Sequence, residues 1–131
     1  MDAIADILAG TTPVARQFID GRWEDADGAR TFAVHNPATG KLLGAVPASG
    51  ALETRRAIEA AGRAFGTWSQ TPSKQRAALL HEAARLMRQR QENLARLIAM
   101  EEGKPIAESR GEVIYAADFL SFFAEESQRC G

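Results

Sequence analysis

The first third of the chain has short apolar runs separated by turn residues, whereas longer stretches with a helical period fill the rest. Asp20 and Gly21 lie between two apolar runs, and this pair favours a two-residue type I′ turn and therefore an antiparallel hairpin. Residues 36–40 carry the asparagine, proline and glycine of a second turn, with short apolar runs on both sides. We predict antiparallel β ribbons over residues 16–48, preceded by an N-terminal arm over residues 1–15.

Apolar residues recur with the 3.6-residue period of an α-helix in three later stretches. They predict helices over residues 51–68, 72–102 and 105–128, with Gly103 closing the second helix. The third helix is apolar around most of its circumference, so we expect it to contact protein on several sides. The predicted fold class is α/β, with short antiparallel strands followed by a three-helix segment over residues 49–131. The apolar stripe of the first helix consists of Ile58, Ala61, Ala64, Phe65 and Trp68.

Composition narrows the class of protein. With 131 residues, 45% of them apolar, the chain is long enough for one globular domain. A net charge of −1 argues against an electrostatic nucleic-acid binder and gives no attraction to anionic membranes. A single cysteine fits a reducing compartment, and the sequence shows neither a secretory signal nor an apolar stretch of membrane-spanning length. The sequence therefore predicts a cytoplasmic protein with no nucleic-acid or membrane partner.

Residues with reactive side chains do not form a recognisable active site in the sequence. Cys130 is predicted at the C-terminal end of a helix, where the negative end of the helix dipole disfavours a thiolate, so we interpret it as an inert thiol. His35 and His81 lie on different predicted elements and lack the close spacing of metal-binding histidine pairs. Neither of the glycine-rich motifs that bind phosphate groups is present.

Arginines in the second predicted helix are spaced for ion pairs along the helix itself. Glu82 lies three residues before Arg85, and Glu92 lies four residues from both Arg88 and Arg96. These spacings place opposite charges side by side on one helical face. They predict a solvated, ion-paired surface rather than a binding site for an anionic partner.

Five segments stand out along the chain, in this order: residues 18–23 (Phe-Ile-Asp-Gly-Arg-Trp), residues 36–40 (Asn-Pro-Ala-Thr-Gly), Ala64-Phe65 with Trp68, Arg76, and Glu102-Gly103-Lys104-Pro105. Together they resemble the N-terminal region of the aldehyde dehydrogenase superfamily, and the similarity covers essentially all of residues 16–131. Residues 108–113 and 123–126 are most similar to the succinate-semialdehyde dehydrogenase branch.

This resemblance implies an enzyme that oxidises an aldehyde to a carboxylate with NAD or NADP. In the family a cysteine forms a thiohemiacetal, an oxyanion site stabilises it, and a glutamate activates water. The motifs that carry those residues, and the parallel Rossmann-like sheet that binds the cofactor, lie downstream of the matching region. We therefore expect no catalytic or cofactor-binding residue in this chain, no cofactor bound to it alone, and no nucleophilic role for Cys130.

Two further sites are implied by position within the family. The third helix borders the substrate tunnel in family members, so Tyr115 and Phe119 would form part of the tunnel wall. The alternative for this pair is packing in a hydrophobic core. Some members also bind a monovalent cation between main-chain carbonyls and an acidic side chain, and the corresponding residues here would be Val34, His35 and Glu101.

Two functions remain open at this point. The first is a truncated, N-terminal segment of an NAD(P)-dependent aldehyde dehydrogenase, with succinate semialdehyde as the candidate substrate. Such a segment would be inactive alone and would contact the remainder of the enzyme, or a second copy, through apolar surface. The alternative is a non-enzymatic helical module that binds a partner protein through the apolar third helix.

Overall fold

A computed structural model of the protein describes residues 16–129, which form two compact units divided after Ser69. The predicted N-terminal arm and Cys130 lie outside the described residues. The first unit contains β1 (Gln17–Ile19), β2 (Arg22–Glu24), a short 3₁₀ turn (Asp27–Ala29), β3 (Thr31–His35), β4 (Leu42–Pro47) and α1 (Ala51–Trp68). The second unit contains α2 (Ser73–Gln89), α3 (Gln91–Glu102) and α4 (Ile106–Arg129).

Both predicted hairpins are present in the first unit. Strands β1 and β2 pair antiparallel, and Asp20 and Gly21 between them have φ angles of 53° and 75°, as a type I′ turn requires. Strands β3 and β4 also pair antiparallel, and in the turn that joins them the side chain of Asn36 accepts a hydrogen bond from the Ala38 N–H at 2.9 Å. Turn chemistry in the sequence was therefore sufficient to predict the two ribbons.

One buried carboxylate joins α1 to the ribbons. Glu53 is only 2% exposed, and its Oε2 accepts a hydrogen bond of 2.8 Å from the N–H of Gly50, the residue that caps α1. Its Oε1 accepts a second bond, also 2.8 Å, from the N–H of Asp27 in the 3₁₀ turn. These donors favour the ionised carboxylate, so the hydrogen bonds from Asp27 and then Gly50 lower the pKa of Glu53 from 4.5 to about 2.

The helix α1 has the predicted bounds, but residues 16–129 leave its predicted apolar stripe exposed. Ile58, Phe65 and Trp68 are all exposed, and the residues of α1 that are buried are Glu53 and Ala60. The stripe identified by periodicity is therefore not the surface that α1 buries among the described residues.

In the second unit, α4 packs against both α2 and α3 through small side chains. His81 and Arg88 of α2 pair with Glu125 and Asp118 of α4, so the two helices run antiparallel. Because the residues between them end in methyl or hydroxyl groups, the helix backbones can approach closely. The buried residues of this unit are Ala77, Ala84, Ala95, Ser109, Val113, Ala117 and Ala124.

The prediction of a single helix over residues 72–102 was wrong, because the structure has two helices that meet at Arg90. Arg90 has φ −101° and ψ 15°, outside the helical region. Contacts with α4 hold the start of α3, since Gln91 donates a side-chain hydrogen bond to the Arg110 carbonyl at 3.2 Å and Glu92 pairs with the Arg110 guanidinium. Glu92 also lies in the first turn of α3, where the helix dipole favours negative charge.

Candidate functional site

Four aromatic side chains lie along one side of α4 and form what we call the aromatic face: Tyr115, Phe119, Phe122 and Phe123. Tyr115 and Phe119, which are one turn apart, meet edge to face with ring centroids 4.7 Å apart. Phe119 also stacks on Phe123, with a centroid distance of 6.3 Å. Tyr115 is 65% exposed and Phe119 is 45% exposed, so residues 16–129 enclose neither ring.

Part of the aromatic face is hollow. Tyr115, Asp118, Phe119 and Phe122 line an open depression of about 310 Å³ whose surface is almost entirely apolar. Asp118 is the one charged residue among them. The structure thus brings together the two predicted wall residues, Tyr115 and Phe119, and adds an acidic neighbour that the sequence did not single out.

An arginine from the neighbouring helix holds this acidic group. Arg88 of α2 donates through Nη2 to Oδ1 of Asp118 at 2.7 Å and to Oγ of Ser121 at 3.2 Å. The sequence predicted that Arg88 would pair with Glu92, and this was wrong, because the helix break at Arg90 lies between them and removes the i, i+4 geometry. The other two predicted pairs, Glu82 with Arg85 and Glu92 with Arg96, are confirmed.

Two further charged clusters of the second unit join α3 to α4. Arg110 of α4 bonds both carboxylate oxygens of Glu92 at 2.9 and 3.0 Å, and this contact lowers the pKa of the Glu92 carboxyl. Lys104 lies between Glu102 and Glu112, and hydrogen bonds to both carboxylates raise the pKa of its amine. Each carboxylate faces a cation, so none of them forms an acid–base pair.

The predicted cation-binding residues belong to different units. Val34 and His35 are at the end of β3, and Glu101 is near the end of α3. Within residues 16–129, no group of three histidine, cysteine, aspartate or glutamate side chains converges in a way that could hold a metal ion. The monovalent cation site, which would use main-chain carbonyls, stays a prediction.

A dinucleotide cofactor does not fit the part of the chain that the structure describes. Dinucleotides bind where parallel strands lead through a glycine-rich turn into a helix. The two sheets here are antiparallel and two-stranded. At the N-terminus of α1, the carboxylate of Glu53 already accepts the hydrogen bond of the capping residue Gly50.

The first unit has a larger depression, of about 400 Å³, between the β1–β2 hairpin and α1. Arg56 bonds Glu24 at 2.9 Å, and Arg63 bonds Asp20 at 3.0 Å across it. These pairs join residues more than 30 positions apart, so spacing in the sequence could not reveal them. Three arginines and three carboxylates line the depression, so we interpret it as an ion-paired contact between the hairpin and the helix. The full lining is Ile19, Asp20, Arg22, Glu24, Arg56, Glu59 and Arg63.

None of the helices within residues 16–129 combines the length and the apolar composition needed to cross a bilayer.

Comparison with known proteins identifies relatives for nearly the whole chain. Glutarate-semialdehyde dehydrogenase of Pseudomonas aeruginosa is 51% identical over 112 residues, which are 86% of this chain and 23% of that protein. The NADP(+) succinate-semialdehyde dehydrogenase of Escherichia coli is 49% identical over 111 residues, 85% of this chain and 23% of the relative. The chain therefore spans about a quarter of the length of these relatives.

The similar solved structures include the same kind of enzyme as the sequence relatives. The crystal structure of succinate-semialdehyde dehydrogenase from Burkholderia pseudomallei superposes with a TM-score of 0.87 at 43% identity, over 94% of this chain and 26% of that one. The sequence profile described as "Aldehyde dehydrogenase family" matches residues 23–131. The fold class and the resemblance predicted from the sequence are confirmed, with the segment corresponding to the N-terminal region of the family. This chain belongs to the aldehyde dehydrogenase family.

Proposed function

We propose that this chain is the N-terminal segment of an NAD(P)-dependent dehydrogenase that oxidises the semialdehyde of a small dicarboxylic acid, such as succinate or glutarate semialdehyde. The observation that carries the proposal is the identity of about half of all aligned residues with two semialdehyde dehydrogenases. An identity of this size extends over 86% of this chain in the first of these relatives. It supports the same substrate class, and it leaves open which of the two semialdehydes is preferred.

We expect the 131 residues by themselves to show no dehydrogenase activity. The motifs that supply the nucleophile, the general base and the cofactor site in the family lie outside the matching segment. The test uses two proteins, the isolated chain and the complete dehydrogenase that carries this segment. Each protein is mixed with succinate or glutarate semialdehyde and with NAD or NADP. Absorbance of the reduced cofactor is then followed. Turnover by the isolated chain would contradict the expectation, and no turnover by the complete enzyme would contradict the proposed function.

Tyr115 and Phe119 are our proposed wall of the substrate route. Their exposure within this chain and their edge-to-face contact support a surface that receives a ligand or another part of the enzyme. The depression beside them is apolar, as is the methylene chain of a dicarboxylic semialdehyde.

Replacing Phe119 by alanine in the complete enzyme is expected to raise the KM for the aldehyde severalfold and to leave the melting temperature nearly unchanged. If Phe119 were instead part of a closed core, the same change would destabilise the enzyme by about 3 kcal/mol or more. Val113→Ala is the matched control, because Val113 is buried on the same helix. It should lower stability by about 2 kcal/mol without changing KM. Steady-state kinetics and thermal melts of both variants decide between the two roles.

The alternative, a non-enzymatic module that binds a partner protein, rests on the same exposed aromatic face. Size-exclusion chromatography with light scattering separates the two proposals for the isolated chain. A monomer that melts cooperatively favours the module. Self-association or a broad melt favours a segment that has lost its covering surface.

A further inference from the structure

We propose that Arg88 determines specificity for anionic aldehydes by neutralising Asp118 at the substrate route. The inference rests on the proposed function, in which the aromatic face borders that route. Arg88 is a positioning residue in this scheme, because it acts on the substrate only through the charge and orientation of Asp118.

The Arg88 side chain bonds two residues of α4 through one nitrogen, Nη2. Its guanidinium contacts Asp118 at 2.7 Å and Ser121 at 3.2 Å, two residues one turn apart on α4. The Ser121 hydroxyl in turn donates to the carbonyl of Ala117 at 3.1 Å. Ala117 is fully buried, so this anchor belongs to the packed part of α4.

An unpaired charge on Asp118 would affect the binding of an anionic substrate, because of where this residue lies. It is the charged member of the otherwise apolar depression lined by Tyr115, Phe119 and Phe122. Once other parts of the enzyme cover the aromatic face, less water remains to screen charges there, and interactions between them become stronger. A substrate that carries its own carboxylate is repelled by an unpaired Asp118, whereas an uncharged aldehyde of similar length is not.

It follows that the effect of Arg88 depends on the charge of the substrate. With Arg88 present, the pair has no net charge, and a semialdehyde approaches the depression without repulsion. Without Arg88, the negative charge of Asp118 is uncompensated and raises the KM of anionic substrates selectively. A residue that merely stabilised the helices would change the kinetics of charged and uncharged aldehydes alike.

The test measures KM and kcat of the complete dehydrogenase for succinate semialdehyde and for butanal, which has the same chain length and no charge. In Arg88→Met we expect KM for succinate semialdehyde to rise about fivefold, with kcat and the KM for butanal unchanged. Adding Asp118→Asn to Arg88→Met removes the uncompensated carboxylate and should return KM to within about twofold of the wild type. Arg88→Lys, which keeps the charge, should retain most of the wild-type KM.

Arg85→Met is the matched control, because Arg85 lies on the same helix and pairs with Glu82 of that helix rather than with α4. It should change KM for neither substrate. Equal KM increases for both substrates in Arg88→Met, or no rescue by Asp118→Asn, would overturn the role of Arg88. A wild-type enzyme that oxidises both aldehydes but is insensitive to Arg88→Met overturns this inference alone. A wild-type enzyme that does not oxidise the semialdehyde overturns the proposed function with it.

Discussion

Replacing Ala84 by leucine is expected to destabilise the helical unit by about 1–3 kcal/mol. Ala84 is fully buried where α2 meets α4, and the facing residues Ala117 and Ala124 are fully buried too. Three additional carbon atoms do not fit between helices that approach each other through methyl groups. The helices must move apart or the new side chain must adopt a strained rotamer. Urea denaturation followed by far-UV circular dichroism measures the loss.

Ala78→Leu controls for the change in helix propensity and hydrophobicity. Ala78 lies on the same helix but is exposed, so the free energy of unfolding should stay within about 0.5 kcal/mol of the wild type. Equal unfolding midpoints for the Ala84 and Ala78 variants would show that α2 and α4 do not pack as closely as described.

Replacing Glu53 by glutamine is expected to lower the melting temperature of the first unit by several degrees. The two carboxylate oxygens accept separate backbone hydrogen bonds, from Gly50 and from Asp27. A glutamine offers one acceptor oxygen, so its NH₂ group faces the other backbone N–H and a buried donor is left unpaired. Glu59→Gln is the control, since Glu59 is an exposed glutamate on the same helix.

The same substitution should remove part of the acid sensitivity of the fold. Because the folded-state pKa of Glu53 is about 2 rather than 4.5, the unfolded chain takes up this proton first as the pH falls. The stability contributed by the ionised carboxylate is fully present above about pH 4.5 and is lost progressively towards pH 2. The difference in urea midpoint between wild type and Glu53→Gln should therefore shrink between about pH 6 and pH 3. A difference that stays constant with pH would contradict this account of Glu53.

Local chemistry explains why some elements could be predicted from the sequence. Asp20 and Gly21 dictated the first hairpin, because few other pairs adopt two positive φ angles. The contact between Tyr115 and Phe119 followed from their spacing of one helical turn. These features depend on residues that are close in the chain.

Features that depend on tertiary packing were missed. The apolar pattern could not reveal the break at Arg90. Ala84 and Ala95, on either side of it, are three helical turns apart, so both would also face α4 if the helix were unbroken. The Arg88–Asp118 pair joins residues 30 positions apart and depends on how α2 and α4 pack. The role of Glu53 was not predicted, and its bond to Asp27 spans 26 residues.

The small side chains between α2 and α4 affect how the two helices are aligned along their axes. Alanine has no rotamers to lose on packing, so bringing these surfaces together costs little side-chain entropy. Methyl groups are also alike: Ala77 and Ala84 are seven positions apart, as are Ala117 and Ala124, so a two-turn slip would again set alanine against alanine. His81 and Arg88 are seven positions apart, as are Asp118 and Glu125, so a two-turn slip would break both ion pairs and could form only one new pair in their place. The alanines let the helices come close, and the charges at the rim select which of the near-equivalent alignments is occupied.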